Sequence, residues 1–559
     1  MKTVLSLACV ATLATAPTLA QEAAEADMRT IQLRMSAEEI RADIETLSSS
    51  AFEGRAPGGI GEEMTVSFIA GQFAEAGIRP GMDGSFYQAF ELTAFAPAGQ
   101  GEFGIDGPDG PIPFTAADDY VLYAGQPDAE LSLADSRIIV GGFGIRAEEE
   151  GWDDYGEVDL SDATVILFRG DPGTATGDET LFGGQALSVH GLVDTKNDLA
   201  AGLGAEAVLL VHTDESAGYP WESLSSGGAS GTQYFLEADD DASLTLFAHV
   251  SEPAARRLLA AAGLDYDTVY AAAAAPGFTA IETSLDASGA HAGSVSTTTT
   301  RNVIGMIEGR EAADECLVYT AHWDHMGVNP DAPTEDHIFN GALDNATGTA
   351  MLINIARAFG ALESAPRRSV YFFATAAEER GLFGAKYFVQ NPPCPLPQIV
   401  GALNMDAHFP YADQYAAMVV PGLGTNELMA ELEPVAARFG RVLVDDSNPQ
   451  AGGFYRSDHY PFIAAGVPGL YAVGAPSAEQ AEADPTIGEG FGWYMANGYH
   501  HAADEVDRPY TWRVGGLTDD ARIYFELGWR LASSNRWPNF TPGTPWLAMR
   551  DEMRADASQ

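Results

Sequence analysis

The stretch Ser369-Val370-Tyr371-Phe372-Phe373-Ala374-Thr375-Ala376-Ala377-Glu378-Glu379-Arg380-Gly381 sets an unbroken apolar run against two adjacent carboxylates. Residues 369–374 show no polar alternation, so they read as a strand buried on both faces, as in a parallel sheet covered by helices. Burying even one unpaired charge costs several kcal/mol. Glu378 and Glu379, placed where the strand runs out, therefore call for cationic company.

Around this strand the chain repeats the same design. Cys316-Leu317-Val318-Tyr319-Thr320 and Ile399-Val400-Gly401-Ala402-Leu403 are further strand-like runs, and Met351, Leu352, Ile355 and Phe359 recur at helical spacing over 347–359. Alternating strands and helices predict an α/β domain with a mostly parallel sheet, whose ligands collect beyond the carboxyl ends of the strands. The first run ends in Ala321-His322-Trp323-Asp324-His325, the second in Glu378-Glu379 and the third in Asn404-Met405-Asp406. Gly341-Ala342-Leu343-Asp344-Asn345 stands at the mouth of helix 347–359, and Tyr499-His500-His501-Ala502-Ala503-Asp504 precedes the final helix. Imidazoles and carboxylates gathered at one sheet edge are undersatisfied without cations, and two divalent ions would neutralise them. Nitrogen and oxygen donors without thiolate suit zinc, with manganese or cobalt as substitutes. Two such ions about 3.5–4 Å apart can polarise a carbonyl and activate a water. One glutamate of the pair can then ligate while its neighbour serves as general base.

The remaining chain supplies context. Its 559 residues, 46% hydrophobic and 19% charged, suit a globular protein of two or more domains. A basic start at Lys2, an apolar stretch and small residues up to Ala20 read as a secretory signal over residues 1–20. No later run reaches the roughly 20 apolar residues of a membrane span, so an exported protein, periplasmic or secreted and without a membrane anchor, is expected. A net charge of −51 argues against nucleic acid or an anionic membrane as partner. Cys316 and Cys394 can form a disulfide in an exported chain or remain thiols. Short β-like runs between glycine- and acid-rich loops mark residues 134–290 as an inserted β-rich domain, after which the polar stretch Ser294 to Thr300 leads back to strong strand signals. Residues 21–133 and 291–540 then form the two parts of the main domain, and 541–559 a C-terminal tail.

The set His322-Trp323-Asp324-His325, Asn340 to Gly348, Glu378-Glu379-Arg380-Gly381, Asn404-Met405-Asp406, Arg456-Ser457-Asp458-His459 and Tyr499-His500 resembles the secreted two-zinc aminopeptidase family, in the superfamily of glutamate carboxypeptidase and the transferrin receptor. The match includes Phe52-Glu53-Gly54-Arg55, and Val140-Gly141-Gly142-Phe143-Gly144-Ile145 with Trp152-Asp153-Asp154-Tyr155 resembles the protease-associated (PA) domain that many members insert. The resemblance implies a zinc-exopeptidase fold, a mixed and mostly parallel sheet flanked by helices, with two Zn2+ ions. Asp344 would bridge them, with His322 and Asp406 on one and Glu379 and His500 on the other. Glu378 falls at the family's general base, and Asp324 at a carboxylate that orients the first histidine. The family also holds the peptide after its bridging aspartate in the cis form. Two adjacent histidines compete for the last position; His500, following Tyr499, is favoured over His501.

Peptides are the implied substrates, released residue by residue from the N-terminus. A carboxypeptidase or dipeptidase would share the metal centre and need a basic grip for a carboxylate, which Arg456 could provide. A metal-free receptor would lack ligands, and none is missing. Tyr455 and Arg456, with Phe454, are placed at the mouth of the site as substrate-binding candidates. His325, His337, His408 and His459 read as packing or loop histidines. The oligomeric state is not legible in the sequence.

Overall fold

The computed structural model describes residues 19–225, 231–236, 243–330 and 335–557. The expected signal segment, residues 1–20, lies outside these apart from Leu19 and Ala20. No helix among the described residues is long and apolar enough to cross a membrane.

The main sheet contains β1 (Tyr87–Pro97), β2 (Ile281–Ile307), β3 (Ala312–His322), β4 (Arg368–Thr375), β5 (Ile399–Asn404) and β6 (Gly469–Tyr471), in the order β6-β5-β3-β4-β2-β1. The strands from β6 to β4 run parallel, and β2 is antiparallel to β4 and β1. All of β4 is buried, as its unbroken apolar run predicts. Helices α1 (Thr347–Gly360) and α2 (Gly515–Ser533) cover one face. Tyr319 of β3 stacks on Phe372 of β4 with ring centroids 5.8 Å apart, and its hydroxyl donates to the Tyr524 carbonyl of α2 at 2.8 Å. A Cβ at Gly528 would lie 1.7 Å from that hydroxyl, so α2 packs this closely only with glycine there. On the opposite face Val318, Phe373, Phe388, Ile399 and Phe462 form a second layer, and beside it Cys316 is joined to Cys394.

The second unit is built on parallel strands Glu130–Val140, Ala163–Phe168, Ala207–His212 and Leu246–Ser251, with helices Val193–Gly202, Glu252–Ala261 and Tyr266–Ala273. It takes in more chain than 134–290. Strands Glu102–Gly107 and Tyr120–Ala124 pair into its sheet and bury Phe103, Ile105, Tyr120 and Leu122 in its core.

One strand serves both units. Residues 281–292 of β2 pair with Glu130–Val140, residues 293–303 with β1, and residues 303–307 with β4. The polar stretch Ser294 to Thr300, expected as a connection back to the main domain, is thus the middle of a 27-residue strand; its threonines are β-branched and favour extended backbone. The expected tail also folds: helix Trp546–Ala557 buries Arg550, which donates to the Ile399 carbonyl at 2.7 Å.

Candidate metal centre

The sheet brings the expected residues to one edge. His322 is the last residue of β3, Glu378 and Glu379 follow β4, Asp406 follows β5, and Asp344 precedes α1. His322 Nε2 lies 3.1 Å from Asp406 Oδ1 and 3.3 Å from Asp344 Oδ1. His500 Nε2 lies 3.0 Å from Glu379 Oε2 and 3.4 Å from Asp344 Oδ2. Asp344 therefore joins two clusters, touching one with each carboxylate oxygen. His501 is exposed and takes no part in this set. The Asp344–Asn345 peptide is cis.

The two glutamates differ in surroundings. Burial and Asp344 push Glu379 up, but His500 and His325 more than offset them and hold its carboxyl at about 2. Burial raises Glu378 well above the usual carboxylate range, His322 opposes this, and Asp406 and Glu379 reinforce it. Burial opposes charge on His322, yet Asp406 and Glu378 raise its pKa well above the ordinary value. His500 is likewise raised to about 10, by Glu379 and Asp344 against burial.

The residues present fit divalent metal. His322, Asp344 and Asp406 bring one donor atom each within 4.8 Å of one another, and so do His325, Asp344 and Glu379. All these donors are nitrogen or oxygen, and the cysteines Cys316 and Cys394 are joined to each other. The second group puts His325 beside Glu379, Nδ1 to Oε1 at 2.6 Å, which corrects the packing role expected for that histidine. The chain turns after His322, so a residue three positions on returns to the same edge. His325 is fully buried against Gly341, where φ is +55° and a Cβ would meet the imidazole at 2.6 Å. His500 instead lines the open cleft. His500 thus approaches Asp344 and Glu379 from the cleft side, and His325 approaches Glu379 from behind.

Supporting contacts lock the donors. The main-chain carbonyl of Asp324 lies 3.2 Å from His322 Nδ1, and Asp324 Oδ1 accepts the Glu378 amide at 3.0 Å, so one residue touches both first histidine and base. Burial pushes Asp324 up to about 6. Asp504 accepts the Leu343 amide at 2.9 Å and the Asp344 amide at 3.1 Å, and Ser457 donates to Asp406 Oδ2 at 2.6 Å. Arg55 is buried behind the site; it donates to the carbonyls of Trp323 at 2.8 Å, Leu47 at 2.9 Å, Asn340 at 2.6 Å and Gly341 at 2.8 Å. Arg55, Asp504 and Ser457 stand in the quoted motifs, but nothing in their spacing gives these roles.

The cleft over the cluster has a volume of about 570 Å³. Tyr455 and Arg456 line it, as expected, whereas Phe454 packs on His459 and Trp546 instead. His408 pairs with buried Asp520 at 2.7 Å, His337 approaches the Asn329 carbonyl at 3.2 Å, and His459 is buried beside Tyr471, so these three pack elsewhere.

Residues 302–520, which carry every donor above, match the family model described as Peptidase family M28. That part of the chain belongs to the family. Its M28 domain is similar to a "Probable zinc metalloprotease" of Leptosphaeria maculans, 33% identical over 110 residues, 19% of this chain and 23% of the relative. It is also similar to aminopeptidase NAALADL1 of Mus musculus, 34% identical over 97 residues, 17% of this chain and 11% of the relative. The chain thus matches less than a quarter of the length of these two relatives. Among solved structures, an aminopeptidase from Aneurinibacillus sp. strain AM-1 superimposes with a TM-score of 0.51 at 18% identity, covering 91% of this chain and 97% of that one, which shows a shared fold.

Proposed function

We infer that the protein is an exported zinc-dependent exopeptidase, an aminopeptidase that hydrolyses N-terminal residues from peptides. The observation that carries this reading is Asp344, shared between two buried donor clusters beside a glutamate that is not consumed by either. His322, Asp344 and Asp406 would hold one zinc ion, and Asp344, Glu379 and His500 the other. When bound, the ions would acidify a water and polarise the scissile carbonyl.

The chain's own residues do the rest. The main-chain carbonyl of Asp324, 3.2 Å from His322 Nδ1, accepts its proton and fixes the tautomer that leaves Nε2 as the donor atom. Glu378, raised above the usual carboxylate range by burial, takes a proton from the attacking water and delivers it to the departing amine. Its amide is tied to Asp324, so base and histidine keep register. Phe409, Tyr494, Met495 and Tyr499 form an aromatic and apolar flank of the cleft, which suits an apolar side chain at the cleaved end. The leader-like start of the sequence supports export, and the PA-like unit forms part of the cleft rim through Asp194.

A panel of amino-acid p-nitroanilides, run beside N-blocked peptides with free C-termini, tests the reading. Turnover of the anilides is expected, fastest with apolar residues. Cleavage of the blocked peptides alone would replace it with the carboxypeptidase reading, which Arg456 in the cleft would serve.

A further inference from the structure

In a chain with 80 acidic and 29 basic residues, arginines readily find carboxylates: Arg301 sits on Glu62, Arg357 on Asp43 and Arg513 on Asp484. Arg169 and Arg456, like Arg34, Arg55, Arg380, Arg550 and Arg554, form no ion pair with a described carboxylate; what sets these two apart is a shared crevice, of about 150 Å³, between the second unit and the M28 domain. Arg169 follows strand Ala163–Phe168 at its carboxyl end and is half-buried, its guanidinium 5.6 Å from the Tyr219 ring centre. Arg456 comes from the M28 domain and lines both crevice and cleft. Among the described residues, no acidic one lines the crevice. Asp171, two residues from Arg169, is committed elsewhere, accepting from the amides of Thr174 and Ser188 at 2.8 Å and from the Ser188 hydroxyl at 2.7 Å. The walls are tied together, since the Tyr455 hydroxyl donates to the Leu187 carbonyl at 3.0 Å and the Leu187 amide to the Pro449 carbonyl at 3.2 Å.

Arg169 is half-buried and Arg456 exposed; two like charges on one crevice repel, and an anion between them relieves both. Burial lowers the Arg169 pKa, Tyr219 opposes, and Arg456 lowers it again, as expected of a guanidinium short of negative charge. The crevice adjoins the cleft at Tyr455 and Arg456, one residue before the Ser457 that holds Asp406. The aromatic flank lies beside His500, with Tyr499 stacked on it at 3.8 Å. Anion and apolar side chain thus belong to different parts of the cleft.

We propose that Arg169 and Arg456 together bind a carboxylate of the peptide on the leaving side of the scissile bond, making short or acidic peptides the preferred substrates. This rests on the peptidase reading above. The carboxylate can be the chain terminus or an acidic side chain, and planar guanidinium forks suit either.

Calorimetric titration of the zinc-loaded Glu378→Gln protein measures binding without turnover. Leu-Gly-Gly is expected to bind about tenfold or more tightly than its C-terminal amide, as a charge-assisted hydrogen bond provides. Arg169→Gln, added to this background, should bring the ratio toward one, and Arg169→Lys should restore part of it. Leu-Gly-Glu-amide against Leu-Gly-Gln-amide gives the side-chain arm: preference there and not at the terminus would make the acidic side chain the ligand. Equal affinities in both arms, or ratios untouched by Arg169→Gln in a protein with normal circular dichroism, would overturn the proposal. Wild-type protein that binds the free acids selectively but leaves the p-nitroanilides intact would refute the aminopeptidase reading and keep this one.

Discussion

Replacing Arg55 by lysine should damage the metal centre without touching any ligand. Within 2.9 Å the guanidinium reaches four buried carbonyls, on Trp323, Asn340, Gly341 and Leu47, with the Asp344 carbonyl a more distant fifth at 3.5 Å. The first follows His322 directly, and the next two lie shortly before Asp344. Lysine keeps the charge but gathers its three donors at one point, so about two of the four carbonyls lose their partner. Each orphaned buried acceptor costs about 1–3 kcal/mol, giving a loss of about 2–6 kcal/mol, large against a typical total of about 5–15 kcal/mol. Because three of the carbonyls sit in ligand-bearing loops, part of that loss should appear as a zinc affinity weaker by roughly ten- to a hundredfold, the range seen when residues supporting metal ligands are removed. Urea unfolding followed by tryptophan fluorescence reads the stability, and competition with a chelating dye reads the affinity. An Arg55→Lys protein with the wild-type midpoint and the wild-type zinc affinity would refute the reasoning, because those carbonyls would then not depend on the fork.

Glu378→Gln should lower kcat by about 10²–10⁴ while metal content by elemental analysis stays unchanged; full residual activity would remove Glu378 from its role. Cys394→Ser opens a crosslink spanning 78 residues, and the chain-entropy estimate for such a loop is a loss of about 4–5 kcal/mol, to be read as a lower unfolding midpoint in non-reducing buffer. Burial pushes His249 and His459 down to about 3, below the ordinary value near 6.5. Their contribution is therefore complete above about pH 6.5 and is lost as pH falls toward 3, by about 1.4 kcal/mol per pH unit for each. A His249→Phe variant should show a shallower fall of melting temperature between about pH 6.5 and 4, and an identical slope would count against the assignment.

Of the five residues expected at the site, His500 lies in a loop and rested on the resemblance alone, whereas the other four were legible because each stands at the end of a strongly apolar strand or at the mouth of a periodic helix. His322, Glu379 and Asp406 needed no more than that. Residues that act through backbone groups left no such trace. Arg55 serves four carbonyls in three distant segments, and no pattern of side chains records where carbonyls point. His325 was misread because the turn after β3, which carries it back to Glu379, is set by tertiary packing and not by local spacing. The extent of the second unit was missed for a related reason. Phe103 and Ile105, Tyr120 and Leu122 alternate as strands do, but the runs are short, and their partners lie more than a hundred residues away.

The 27-residue strand β2 has a mechanical consequence. At about 3.3 Å per residue it carries nearly 90 Å of continuous extended backbone, clamped by ladders along much of its length. The two units that border the cleft are thereby joined through one strand. Swinging the second unit aside would require tearing backbone ladders apart, whereas a jointed linker would need only a change of a few torsions. The relative placement of the two units is accordingly fixed when the chain folds, by backbone ladders on either side of residue 293.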